Sequence, residues 1–319
     1  MAYLLVTGGA GFMGSHLVDA LLKRGHRVRV LDDLSSGSRE NVPKRVEFLH
    51  ADVTDPLAVE AAFDRIDACF HLAAIASVTR SNDEWQRTHQ VNLTGTINIF
   101  DQARRSRPHR EIPVIYASTA AVYGDCAEIP ICEASPADPL SAYGADKRAC
   151  ELHARVAGAV HGIPTVGLRF FNLYGPRQDP CSHYSGVITR FGERLRRGEP
   201  VEIFGDGEQV RDFTYIGDAI AALLRAPSAA DISAPVFNVC TGKGTTVRRL
   251  AETMAALHRT KLAAVYRPAR PGETRVSIGD PHHAAEGLGF RAETTLLKGL
   301  AMTLDMPGPV IAREERLIA

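Results

Sequence analysis

Through the first half of the chain, short runs of apolar and β-branched residues alternate with longer segments whose apolar residues recur at helical spacing. The runs at 4–7, 28–32, 46–52, 68–72, 114–118, 166–170 and 236–239 are strand candidates, and most are near-continuous rather than alternating. A strand wetted on one face alternates apolar with polar residues. Near-continuous runs instead predict strands covered by helices on both faces, hence an α/β fold with a parallel sheet built from β-α units.

The helical segments between the runs carry their own punctuation. Leu17, Ala20 and Leu21 repeat at helical spacing, Lys23 and Arg24 fall in the last turn, and Gly25 supplies the stop. Asp55 fits an N-cap and Pro56 the first helical position, where its missing N–H costs nothing. Ala145, Ala149, Leu152, Val156 and Ala159 form a stripe that predicts the buried face of a helix closed by Gly162 and Pro164. After about residue 175 the pattern loosens into Pro/Gly-punctuated segments, which predicts a smaller second lobe. The expected division is a first domain over 1–175 with returning segments at about 212–240, and a second lobe from 176–211 and 241–319.

Composition changes this picture little. The 319 residues are 45% hydrophobic and 23% charged, with 37 basic against 37 acidic side chains, so no excess charge points to a nucleic acid or a membrane surface. No apolar run approaches the ~18 residues of a membrane span, and the chain enters its first strand candidate without a basic leader, so the expected location is cytoplasmic. The six cysteines include no C-x-x-C pair, and the adjacent His282 and His283 lack chelating spacing, so no metal is expected.

Candidate chemistry begins with Thr119, Tyr143 and Lys147. On a helix, Tyr143 and Lys147 lie four apart on one face, with Cβ atoms roughly 5–6 Å from each other. An ammonium at that range favours phenolate, so Lys147 is expected to pull Tyr143 below its reference of about 10 and make it a base for an alcohol hydroxyl. The hydride partner of such a reaction is suggested by Gly8, Gly11 and Gly14, which open the first helix directly after the first strand. Glycines there let backbone approach a pyrophosphate, and the helix N-terminus offers it free N–H groups. Asp32, at the end of the second strand, can accept both adenosine ribose hydroxyls and would repel a 2′-phosphate. With Asp33 beside it and no arginine before Arg39, NAD is expected over NADP.

Together, residues 7–14, Asp32, Asp52 and Val53, His71 to Ala74, Asn92, Ser118 and Thr119, Tyr143 and Lys147, Arg169 to Asn172, and Arg211 and Asp212 resemble the extended short-chain dehydrogenase/reductase superfamily. Within it, the chain is similar to the nucleotide-sugar 4-epimerases from residue 3 to about 290. The resemblance implies a Rossmann-type doubly wound parallel sheet with a smaller α/β substrate-binding lobe. It implies that NAD is held by Gly8, Gly11, Phe12, Met13, Gly14, Asp32, Asp33, Ser36, Gly37, Asp52, Val53, Leu72, Ala73, Ala74, Asn92, Ala117, Tyr143, Lys147 and Phe170. It likewise implies that Thr119, Tyr143, Asn172, Val187, Phe204, Arg211, Arg270, Glu273 and Ser277 hold a UDP-sugar. Forked arginine donors suit a diphosphate and the Phe204 ring suits a uracil face, although in isolation such residues are ordinary surface and core side chains.

The implied reaction is UDP-glucose/UDP-galactose 4-epimerisation through a 4-keto sugar, catalysed by Tyr143, Lys147 and Thr119. Dehydratase relatives carry an Asp-Glu pair directly after the threonine, where this chain has Ala120 and Ala121. Ser277 stands where strict glucose/galactose relatives have a bulky tyrosine, which leaves UDP-N-acetylglucosamine and UDP-N-acetylgalactosamine open as substrates. UDP-glucuronate ranks lower, because Asp179 stands where those relatives usually show arginine. A catalytically silent NAD-binding sensor or scaffold is the alternative of another class, since fold does not prove function. The resemblance also implies a homodimer, pairing helices at 91–105 and 144–159.

Overall fold

In the computed structural model, which describes residues 1–106, 111–178, 186–269 and 274–305, seven strands form one sheet in the order Val236–Val239, Thr165–Phe170, Val114–Thr119, Ala68–His71, Tyr3–Thr7, Arg27–Asp32, Glu47–His50. Every neighbouring pair is parallel. The chain thus starts at an inner strand, winds outward to one edge, then crosses back and winds to the other. That reversal leaves a crevice beyond the C-terminal ends of Tyr3–Thr7 and Ala68–His71, the place where open α/β sheets take ligands.

Both faces are covered, as the near-continuous runs predict. Leu4 and Val6 enter a core with Leu17, Val18, Leu21, Ala219 and Leu223, whereas Leu5 enters the opposite one with Val59, Phe63, Ile99, Ala154 and Ala157. The third strand is shorter than expected: it ends at His50, and Ala51 and Asp52 lie in the following loop.

Helix ends follow the predicted punctuation. Asp55 accepts from the Leu57 N–H ahead of helix Pro56–Ala62, and Gly25 adopts φ +78° just after helix Phe12–Lys23. The helix Ala142–His161 is capped by Ser141, whose side chain accepts from the Gly144 N–H. It closes at left-handed Gly162, with the Ile163 N–H returning to the Ala157 carbonyl.

That helix lies with the opposite face inward from the one its apolar stripe predicts. Leu152 and Val156 are 47% and 49% exposed, Val160 is 68% exposed, and Ala145 and Ala159 also face out. The buried face comprises Asp146, Lys147, Cys150, Glu151, Ala154, Ala157 and Gly158. Two physical reasons account for the inversion. Small residues allow close approach, since a Cβ on Gly158 would come 1.9 Å from the Ile232 carbonyl oxygen. Glu151, moreover, finds buried partners in the sheet that periodicity cannot reveal.

The remaining strands lie outside the main sheet. Val210–Tyr215 pairs with Asn172–Tyr174, Gly244–Thr246 and Val276–Ser277, while Val201–Phe204 pairs with Ala264–Arg267. Helices Val187–Arg196 and Val247–Leu257 close over them around Phe191, Val201, Ile203, Leu250 and Met254. Among the described residues, no helix is long and apolar enough to cross a membrane.

Candidate active site

The glycine turn sits at the crevice because larger side chains do not fit there. A Cβ on Gly8 would meet the Ala73 N at 2.7 Å, and one on Gly14 would meet the Gly8 carbonyl oxygen at 2.0 Å. A Cβ on Gly11 would meet only that same oxygen, at 3.3 Å, so the turn is open on its outer side. Helix Phe12–Lys23 begins there without a side-chain cap, leaving first-turn N–H groups for an anion. At the neighbouring strand end, Asp32 is buried and accepts from the Ala10 N–H at 2.8 Å and the Leu34 N–H at 2.8 Å. Burial raises its pKa and Asp33 adds to the rise, against the pull of the two N–H bonds. Each carboxylate oxygen retains a further lone pair for a ribose hydroxyl.

The loop after Asp32 packs on the turn. A Cβ on Gly37 would come 2.7 Å from the Ala10 carbonyl carbon, Ser36 is exposed, and Asp33 is turned onto Ser35. Asp52 pairs with Arg87 at 2.6 Å, and this bond with that of Thr54 outweighs burial and lowers its pKa. Val53 is buried against Gly95, where a Cβ would meet its methyl at 2.7 Å.

A buried relay fixes the opposite wall. Burial, with the Lys147 charge, pushes His71 down to about 3, so the ring is neutral. Thr96 donates to the Asn92 carbonyl at 2.5 Å, leaving its oxygen to accept from His71 Nε2 at 3.0 Å. Nδ1 then accepts from Thr7 at 2.8 Å, and the Thr7 oxygen takes the Leu72 and Ala73 N–H groups. Asn92 spends both polar side-chain atoms on the backbone of Ile75. Leu72, Ala73 and Ala74 are thereby held beside Gly8, with Ala117 and Phe170 buried on the next two strands.

Thr119 ends its strand and accepts from the Ala121 N–H at 3.1 Å, and its hydroxyl is close enough to the Tyr143 phenol to favour the phenolate. Lys147 is 2% exposed on the following turn. Burial pushes the Tyr143 phenol up to about 12, Cys150 adds to the rise, and Thr119 pulls the other way. The phenol therefore lies above its ordinary value, contrary to the sequence expectation that Lys147 pulls it below. The Lys147 charge lowers His71 and opposes the burial that raises Cys150, while burial lowers the pKa of Lys147 itself. Sequence spacing gave the helix face but not the burial that raises the phenol.

Sequence reasoning passed over Ser81 and Asn82. Ser81 accepts from the Tyr143 N–H at 3.1 Å and Asn82 from the Ala142 N–H at 3.4 Å, so a distant short helix caps the one that carries the phenol. No linear motif signals a cap supplied from sixty residues away.

On the strands outside the main sheet, Ser277 pairs with Arg211 on adjacent strands, and Asn172 reaches the Asp212 carbonyl at 3.2 Å. Phe204 ends its strand half-buried, and Val187 opens helix Val187–Arg196, which has no side-chain cap. Arg270, Glu273 and Asp179 lie outside the described residues.

A family model for NAD-dependent epimerases and dehydratases matches residues 4–240. The chain belongs to the NAD-dependent epimerase/dehydratase family. The UDP-glucose 4-epimerase of Thermotoga maritima, solved with UDP-glucose, superposes with a TM-score of 0.91 at 38% identity, covering 95% of this chain and 97% of that one. The UDP-glucose 4-epimerase of Thermus thermophilus, solved with NAD, gives 0.88 at 38% identity over 95% and 98%. A UDP-N-acetylglucosamine 4-epimerase of Methanobrevibacter ruminantium gives 0.89 at 33% identity over 95% and 97%. Family membership makes NAD the cofactor, and the open glycine turn and Asp32 fit it.

Proposed function

We propose that this family member interconverts UDP-glucose and UDP-galactose through a 4-keto sugar. The observation that carries the reading is Thr119 acting on the Tyr143 phenol with buried Lys147 one helical turn on, Thr119 being followed by Ala120 and Ala121, which cannot move protons. Glycines 8, 11 and 14, Asp32 and the wall at Leu72 to Ala74 hold NAD, which accepts and returns a hydride at its nicotinamide ring. Burial holds the Tyr143 phenol protonated in the NAD-free protein, so the positive charges of Lys147 and of the nicotinamide ring of bound NAD would have to favour its phenolate, which then takes the proton of the sugar O4 while Thr119 hydrogen-bonds the same oxygen. Arg211 with Arg270 binds the diphosphate, Phe204 stacks on uracil, and Asn172, Val187 and Glu273 complete the nucleotide site. Loss of a proton at C5 and a hydroxyl at C6, the step of dehydratases, needs an acid and a base where the two alanines stand.

Incubating purified protein with UDP-galactose and assaying UDP-glucose tests the reading directly. No turnover of any UDP-sugar would leave the silent sensor or scaffold standing. Ser277 favours a second reading within the same chemistry: its small side chain beside Arg211 leaves room for a C2 N-acetyl group, as the Methanobrevibacter relative's substrate name also suggests. Including UDP-N-acetylgalactosamine and UDP-galacturonate in the assay separates these substrates.

We propose also that two copies pair through helices Gly95–Ser106 and Ala142–His161. Exposed Ile97, Leu152, Val156 and Val160 on these helices support this, since such apolar surface is costly in water.

A further inference from the structure

Directly beneath the catalytic helix lies a buried ion pair that the proposed chemistry does not use. Glu151 Oε1 accepts from Arg169 Nε at 2.8 Å and from Ser118 Oγ at 2.7 Å, while Oε2 accepts from Arg169 Nη2 at 2.7 Å and Arg148 Nη1 at 2.8 Å. Arg169 Nη1 goes on to the Tyr123 hydroxyl at 2.8 Å and the Glu133 carbonyl at 3.1 Å, and Tyr123 donates to Asn238 Oδ1 at 2.6 Å. The four acceptor positions of the carboxylate are filled.

Its location gives the cluster a geometric meaning. Glu151 is one turn beyond Lys147 and two beyond Tyr143, so all three share a helix face. Ser118 immediately precedes Thr119, and Arg169 immediately precedes Phe170, on strands paired in register Ser118 to Arg169 and Thr119 to Phe170. One carboxylate therefore bolts the helix bearing the phenol and the ammonium to the strands that end in Thr119 and Phe170. We propose that Glu151 is a positioning residue for the Thr119, Tyr143 and Lys147 site, acting through Ser118 and Arg169 to fix the helix against the two strands.

Stability alone is a poor account of the cluster. Buried ion pairs pay heavily in desolvation, and apolar replacements of similar volume are often no less stable. The contacts beyond Glu151 on this helix face, at Ala154, Ala157 and Gly158, are small and without direction, and the hydrogen bonds of Asp146 and Cys150 run to His89 and Asn92 on neighbouring helices, so none of these ties the helix to the strands that end in Thr119 and Phe170. Directional bonds at Glu151 supply that tie. A displacement of about 1 Å between catalytic groups can cost on the order of 100-fold in rate.

The inference rests on the epimerase reading, and the test keeps the two apart. Two variants are compared with wild type: Ser118→Ala, and the double variant Glu151→Met with Arg169→Met. Expected for the double variant are a melting temperature and NAD content near wild type, a KM for UDP-galactose within about twofold, and a kcat lower by ~30–100-fold. Ser118→Ala, which leaves the ion pair intact, should lose about 3–10-fold in kcat at unchanged KM. Amide hydrogen exchange over 142–151, read by mass spectrometry, should quicken in both. A folded, NAD-loaded double variant with kcat within threefold of wild type overturns the proposal, as does a loss of kcat that tracks loss of NAD. If the buried variants do not fold, a Ser118→Ala enzyme with wild-type kcat and wild-type exchange overturns it alone. Inactive wild type would sink the epimerase reading instead, and the exchange arm would still decide whether the cluster holds the helix.

Discussion

At the scale of single residues, the phenol is the group on which the reading turns. Tyr143→Phe should lower kcat by several orders of magnitude in protein that still folds and still carries NAD, because the O4 proton acceptor is removed while the glycine turn and Asp32 remain. Retained turnover in that variant would rule out the assigned base. The direction of the Tyr143 shift sets a second expectation. In the folded protein the phenol keeps its proton up to about 12, against an ordinary value of 10.0. Between those values the folded state binds more protons than the unfolded one, so the contribution of Tyr143 to stability is whole below about pH 10 and is lost as pH rises toward 12. A spectrophotometric titration of NAD-free protein at the phenolate absorbance should show this tyrosine ionising late, together with buried Tyr116, Tyr123 and Tyr174, and Tyr143→Phe should reduce that late component by one tyrosine. The spacing of Tyr143 and Lys147 was readable in the chain. The burial that raises the phenol, and the charge that Lys147 exerts on His71 and Cys150, arise only when distant strands close around them.

At the scale of elements, legibility followed the distance along the chain over which each cause acts. Caps such as Asp55 and stops such as Gly25 and Gly162 act within a few residues and were readable directly. The glycine turn was readable as a motif, and its contacts show why: Gly14→Ala would drive a Cβ to 2.0 Å from a backbone oxygen that cannot move without reshaping the turn. That variant should purify with little or no NAD and melt at a lower temperature, and full NAD occupancy would contradict the account. The inward face of Ala142–His161 was not readable, because its apolar stripe faces out and its buried polar residues have partners only in the folded sheet. The cap that Ser81 lends to Tyr143 escaped for the same reason. Removing it by Ser81→Ala should cost about 1 kcal/mol, a typical figure for a lost helix cap, measurable as a lower denaturation midpoint.

At the scale of the whole molecule, the inverted helix would link catalysis to the proposed pairing of two copies. The face that turns Lys147 and Glu151 into the sheet leaves Leu152, Val156 and Val160 outward on the same helix. Burial of an apolar side chain is worth roughly 1.5–3 kcal/mol. A two-fold pairing covers each such residue twice, once per copy, and a self-complementary face is what a symmetric dimer requires. Replacing Leu152 and Val156 together by glutamate should therefore convert a dimer to a monomer in sedimentation, because the new charges must lose water to enter the interface. Both positions already face solvent in the single chain, so the monomer itself should remain folded. A wild-type monomer at micromolar concentration would refute the pairing, and an unchanged dimer in the double variant would place the interface elsewhere. If the pairing holds, the monomeric variant should also show a looser catalytic helix and a lower kcat, since its outer face would lose the support that its inner face receives from Glu151 and Arg169.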